Sequence, residues 1–155
     1  MSAIKYHVTD ISEIELVRPL WIQLNRHHHA KAGTFRSHYE QWTFDDRKAY
    51  FERVAATGTL RVDLAFDSLQ GRHIGYCISS LSPERTSEIE SIFVEEGYRS
   101  QGVGSAFMGR ILAWFEENGS TRNRVSVGDG NEDAFLFYRK FGFSPRMTVL
   151  EQKKE

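Results

Sequence analysis

Two glutamates, Glu88 and Glu90, stand just ahead of a glycine-rich stretch, VEEGYRSQGVGSAF at 94–107, where a strand-like run gives way to a helix-like one. On a strand that spacing sends both carboxylates to one face. A carboxylate half-buried in a cleft is raised toward neutrality and can take a proton, so both are candidate general bases, with Glu90 the nearer to the loop. The loop suggests a different chemistry. A helix leaves its first N–H groups unpaired and points the positive end of its dipole outward. Glycines at that end let an anion approach the backbone without a Cβ in the way. The run Arg99, Ser100, Gln101, Gly102, Val103, Gly104, followed by Ser105, is therefore a candidate phosphate cradle. It is not a P-loop, which needs Lys-Ser or Lys-Thr after the last glycine where this chain has Ser105 and Ala106. A dinucleotide fingerprint fits at Gly102 and Gly104 but meets Phe107 in place of its third glycine, which counts against a Rossmann-like nucleotide binder.

Other reactive types are less informative. His27, His28 and His29 are adjacent, so on a helix they fan out and cannot all face one ion; the i,i+4 spacing of helical zinc sites is absent, and no metal is expected. At a helix C-terminus they are expected to be favoured as cations. Cys77 is the only cysteine, which rules out an intrachain disulfide, and it reads as a small core residue in a strand.

These residues need a scaffold. Residues 4–9 alternate as a first strand. A helical pattern follows from a cap at Asp10 or Ser12 to about His28, with Pro19 either kinking it or opening a second helix. Residues 31–44 are aromatic, polar and aperiodic and read as a loop, and a helix capped by Thr43 or Asp45 runs to about Ala56. Period-two alternation then predicts a hairpin of strands over 60–66 and 73–81, turned by DSLQG, and a third strand over 88–94. A long amphipathic helix from Val103 ends at Asn118–Gly119; a strand at 122–127, a helix at 131–141 and a last strand around Val149 and Leu150 complete the chain. The expected fold class is α/β (α+β): a mixed, largely antiparallel sheet of about six to seven strands flanked by helices, in one domain over 1–155.

RSQGVG, placed after the apolar run SIFV and before a long helix, resembles the Arg/Gln-x-x-Gly-x-Gly/Ala signature of the GNAT superfamily of acyl-CoA-dependent N-acetyltransferases. NEDAFLFYRKFGF at 131–143 is similar to that family's Asn-x-x-Ala-x-x-x-Tyr-x-x-x-Gly-Phe element, and the order of elements agrees along nearly the whole chain. The resemblance implies acetyl-CoA as co-substrate, no metal, and a sheet splayed mid-way to hold the pantetheine arm. It implies pairing of that arm with backbone groups of Ile92, Phe93 and Val94, and pyrophosphate on the N–H groups from Arg99 through Gly104 with Ser105. Asn131 is implied toward the pantetheine or adenine side, Arg139 or Lys140 toward a 3′-phosphate, and a backbone N–H near Val94 as an oxyanion donor. Tyr138 is implied as the acid that protonates the leaving thiolate: a phenol titrates near 10 and a thiol near 8.5, so tyrosine arrives protonated. His28, His29, Phe35, Tyr39 and Trp42 are implied as a wall of the acceptor site. Some relatives carry an acid in the next strand, where this chain has Ser126, which leaves the choice of base open.

Composition bounds the partners. The 155 residues are 40% hydrophobic and 26% charged, with twenty basic against 21 acidic side chains. That balance offers no basic footprint for nucleic acid. No apolar run spans a membrane and the first residues carry no apolar targeting segment, so a cytoplasmic protein is expected. The expected activity is N-acetyl transfer to a primary amine, small-molecule or peptide, with a homodimer as the family's fair guess; the alternative is a catalytically weak acyl-CoA sensor of the same fold.

Overall fold

The computed structural model describes residues 3–154. Strand β1 (Ile4–Thr9) leads into a 3₁₀ turn (Ile11–Val17) opened by Asp10, whose side chain accepts from the Ser12 N–H at 2.9 Å. Helix α1 (Arg18–Lys31) begins directly behind it with Pro19 in its first turn, where a missing N–H costs no hydrogen bond, so Pro19 opens a helix rather than kinking one. The stretch expected as a loop contains a short helix, α2 (Arg36–Gln41), too brief to show a periodic face. In α3 (Phe44–Thr57), Thr43 and Asp46 satisfy each other's backbone N–H in a capping box.

Strands β2 (Thr59–Asp67), β3 (Arg72–Leu81) and β4 (Thr86–Val94) form an antiparallel meander. Helix α4 (Val103–Glu117) carries the chain over to β5 (Arg122–Val125), which lies parallel to β4, and α5 (Asp133–Arg139) follows. The order in the sheet is β1-β2-β3-β4-β5, so the mixed architecture is as expected with fewer strands. β5 stops at Val125 rather than 127, and α5 is shorter than the 131–141 expected. No strand forms at Val149 and Leu150, which are 82% and 90% exposed. Their side-chain types favour a strand, but a strand exists only where a neighbour takes its hydrogen bonds, and residues 144–154 lie against none.

Each sheet face buries its own core. Val17, Trp21, Phe44 and Phe51 pack with Leu60, Val62, Leu64, Tyr76, Ile78 and Phe93 under α1 and α3. Phe107, Met108, Ile111 and Phe115 of α4 pack with Ala65, Ile74, Cys77, Ile89 and Tyr138 on the other face. Asp63 is fully buried on β2 and is held by Arg61 at 2.7 Å and by Arg110 of α4 at 3.1 Å, which ties the long helix to the sheet. A buried carboxylate is tolerable only with such partners.

Candidate active site

The site is organised by an irregularity in β4. Ile78 pairs with Ser91 and Ser79 with Ile89, so Glu90 has no partner on β3: it is the extra residue of a β-bulge. Alternation is therefore broken, and Ile89 faces α4 while Phe93 faces α1 and α3. The consequence is that Glu88, Glu90 and Ser91 all face the α1–α3 layer. There the Glu90 carboxylate accepts from the Tyr50 hydroxyl at 2.8 Å and from the Ser80 hydroxyl at 2.6 Å. Its backbone carbonyl, freed by the bulge, accepts from Arg47 Nη2 at 2.7 Å. The Ser91 and Tyr76 hydroxyls lie 2.7 Å apart.

Glu88 differs from Glu90 in its environment. Burial, then the neighbouring Glu90 charge and a hydrogen bond to it, push the Glu88 carboxyl up to about 7, against a smaller opposite pull from Arg124 and Arg47. Burial first, and the bond to Glu90 second, also raise the Tyr50 phenol, which keeps it a donor. The two glutamates line a cavity of about 250 Å³ with Tyr50, Val54, Thr57, Ser80, Ser82 and Thr86. A larger cleft of about 430 Å³ lies near Asp67 and Tyr98, but its one carboxylate is already engaged by the Tyr98 hydroxyl and the N–H groups of Leu69 and Gln70.

Beyond the bulge the sheet opens. β5 pairs with β4 only from Thr86↔Arg122 to Ile89↔Val125. Ile92, Phe93 and Val94 are paired on the β3 side alone, against Cys77, Tyr76 and Gly75, and their other edge is free of strand partners. The glycine loop stands at the far end of this opening. Residues Glu96–Gln101, including Arg99, Ser100 and Gln101, form a 3₁₀ turn, and Arg99 Nε donates to the Val94 carbonyl at 2.9 Å. Gly102 takes φ +76°, the left-handed conformation that allows the chain to turn sharply into α4. Its carbonyl accepts from Ala106, so the N–H groups of Val103, Gly104 and Ser105 have no helical acceptor and point outward. Val103 buries its side chain, and Ser105 is exposed. Gly104 has a second constraint: a Cβ there would stand 3.2 Å from the Phe137 ring of α5.

Tyr138 lies on the α4 side of the sheet, away from the layer that holds the glutamates. It is 8% exposed, with its ring edge-on to Phe137 and Phe143, and burial raises its phenol above the ordinary range. Asn131 is in the turn that opens α5, its N–H donating to Gly128 and its carbonyl accepting from Ala134. Arg139 and Lys140 are exposed at the end of α5.

The α1–α2 wall is less uniform than the sequence suggests. The His28 and Tyr39 rings lie tilted against each other at 5.6 Å and Trp42 packs edge-on against Trp21, whereas His29 turns outward to within hydrogen-bond distance of Glu40, at 2.9 Å, and Phe35 sits half-buried at the start of α2. The expectation of cationic histidines is overturned at His28. Burial, then the charges of His27, Arg47 and Lys31, pull its imidazole down to about 4, so it is neutral near pH 7, and α1 itself runs on to Lys31. Cys77 is fully buried and its thiol is pushed up by burial. Among the described residues no three His, Cys, Asp or Glu side chains gather as a metal site, and no helix is long and apolar enough to cross a membrane. Arg47, Tyr50 and Ser80 were not foreseen; the signal for the first two was their i,i+3 spacing on a helix that had to cover the strand carrying the glutamates.

Known proteins resemble this chain in sequence and in fold. The Acetyltransferase (GNAT) family matches residues 21–143. An uncharacterized N-acetyltransferase of Methanocaldococcus jannaschii is 26% identical over 87 residues, 52% of this chain and 38% of that protein. One of Mycobacterium tuberculosis is 32% identical over 73 residues, 47% of each. The matched stretch thus spans under half the length of these curated relatives. Among solved structures, aminoglycoside N-acetyltransferase AAC(6')-Iy in complex with the bisubstrate analog CoA-S-monomethyl-acetylneamine has a TM-score of 0.70 at 18% identity over 99% of both chains. Aminoglycoside 6'-N-acetyltransferase AAC(6')-Ih from Acinetobacter baumannii has a TM-score of 0.69 at 15% identity over 98% of both. A family match over more than half the chain, joined to one fold across its full length, makes this protein a member of the acetyltransferase (GNAT) family.

Proposed function

We propose that this protein transfers an acetyl group from acetyl-CoA to a primary amine of a small, cationic acceptor. The observation that carries the reading is the opening between β4 and β5. It begins where pairing ends at Ile89, has the glycine loop and the first N–H groups of α4 at one end, and has the Glu88–Glu90 pair beside it. The residues fit the co-substrate. The free edge of Ile92, Phe93 and Val94 has backbone groups for the amides of the pantetheine arm. The unpaired N–H groups at Val103, Gly104 and Ser105, with the chain from Arg99 to Gly102, suit a pyrophosphate. Asn131 would meet the arm from the start of α5, and Arg139 or Lys140 would approach a 3′-phosphate.

Acetyl-CoA supplies an activated thioester carbonyl. The amine enters as ammonium, drawn to the carboxylate-lined cavity, and must lose a proton before it can attack. Glu88, poised near 7, is the base of choice, because a base works best when its pKa lies near the operating pH. Glu90, held by Tyr50 and Ser80, is fixed as a partner that raises Glu88 and orients the ammonium. The base is thus assigned to Glu88 rather than to Glu90, the candidate nearer the glycine loop. The amine nitrogen then bonds to the carbonyl carbon, with an N–H near Val94 polarising the oxygen, the C–S bond breaks, and the sulfur leaves with the electron pair. Tyr138, kept protonated by burial, gives its proton to that sulfur; the nitrogen, still carrying a second proton after attack, releases it as the amide forms, and the phenol is reprotonated at the expense of that proton through solvent. His28, Tyr39 and Trp42 wall the acceptor side, with His29 and Phe35 at its rim.

Calorimetric titration with acetyl-CoA, with NAD as control, tests the reading: binding at about micromolar Kd for acetyl-CoA alone is expected. Folded protein that ignores acetyl-CoA, or takes NAD as well, would refute it.

A further inference from the structure

We propose that Arg47 is a positioning residue for this site: it pins the β4 bulge and so fixes the face on which Glu88 and Glu90 meet the acceptor. The inference rests on the acetyl-transfer reading for its kinetic consequences but on independent geometry for the pinning. A bulge frees a backbone carbonyl that must find another donor or lose a hydrogen bond. Here that carbonyl belongs to Glu90, and its donor is Arg47 Nη2 at 2.7 Å. The guanidinium cannot swing away freely. It lies 5.2 Å from the Trp42 ring centroid, 4.8 Å from Tyr50 and 4.6 Å from Phe51, so three aromatic rings hold it. Arg47 and Tyr50 are one turn apart on α3, and they grip the same residue, one by its carbonyl and the other by its carboxylate. If the carbonyl were released, β4 would be free to slip toward regular pairing, and such a slip by one residue turns Glu90 to the opposite face.

Arg47 has a second effect. The groups facing Glu88 are Glu90 on its own strand, Ser80 on β3, Arg124 on β5, and Arg47 and Tyr50 on α3. Arg47 is one of two cations in that set and opposes the rise of the Glu88 carboxyl. Its removal therefore favours the protonated acid and delays the appearance of the base as pH rises.

The test compares Arg47→Met, which loses donor and charge, with Arg47→Gln, which keeps a donor without the charge. The acidic limb of the kcat/KM profile should move to higher pH by about half a unit in both variants. The kcat should fall roughly tenfold or more in Arg47→Met and less in Arg47→Gln, with little change in acetyl-CoA KM. Amide hydrogen exchange over 86–94 should speed up in Arg47→Met more than in Arg47→Gln. A folded variant of either kind with a wild-type limb and wild-type kcat would overturn the proposal. Should the wild-type protein transfer no acetyl group, the acetyl-transfer reading fails separately, and exchange alone decides the pinning: equal protection in wild type and Arg47→Met overturns it.

Discussion

Glu88 and Glu90 have the same side chain and sit two residues apart, yet the structure gives them different surroundings. Glu90 has both carboxylate oxygens engaged by hydroxyls, while Glu88 carries the burial and the proximity of a like charge that raise it to about 7. This has a consequence for stability that requires no substrate. The ordinary value for the group is 4.5, so between 4.5 and about 7 the folded protein holds a proton that the unfolded chain has released. Stability must then fall as pH rises through that window. Glu88→Gln removes the effect. Its Tm relative to wild type should be higher at about pH 8 than at about pH 5, by roughly one to three degrees once solvent screening of a half-buried group is allowed for. Thermal melts at the two pH values check this; a difference that does not change with pH would place the Glu88 carboxyl in the ordinary range.

At the scale of elements, the site depends on segments that are distant in sequence touching at single points. The end of α1 rests on the loop before α5: Gly130 has φ +91°, and a Cβ on it would meet the Lys31 carbonyl at 2.1 Å. Lys31 also pairs with Asp133 at 3.0 Å. Gly130→Ala should therefore cost roughly 2 kcal/mol or more and push the α1–α2 wall off the opening. Denaturant unfolding would read the first effect and the acceptor KM the second; wild-type stability would show that the contact is dispensable. Such contacts explain what the sequence hid. The meander, the glycine loop and the long helix α4 were legible because each declares itself locally, by a period of two, by Gly102 and Gly104, or by an apolar stripe from Val103 to Phe115. The bulge at Glu90 was not, because it exists only in the pairing with β3. The clamp from Arg47 was hidden for the same reason. The last strand failed in the opposite direction: Val149 and Leu150 have strand-forming side chains, but nothing in their own composition says whether a neighbour is within reach.

Across the whole molecule, the sheet divides the labour. The α1–α3 face holds the charged cavity with its glutamates, and the α4–α5 face holds the apolar core in which Tyr138 is set. Between β4 and β5, where pairing ends at Ile89, the two faces meet inside the sheet. The raised Glu88 carboxyl and the buried Tyr138 phenol therefore lie on opposite sides of the sheet. We therefore propose acetyl transfer with Glu88 as the base. It is tested most directly by following thiol release from acetyl-CoA, against a panel of diamines, aminoglycosides and amine-bearing peptides, for wild type and Glu88→Gln across pH. The expected result is turnover on at least one cationic amine, a kcat/KM that rises to a plateau with an apparent pKa near 7, and a loss of roughly a hundredfold or more with no such rise in Glu88→Gln. Equal turnover by the two proteins with the same pH profile would contradict it.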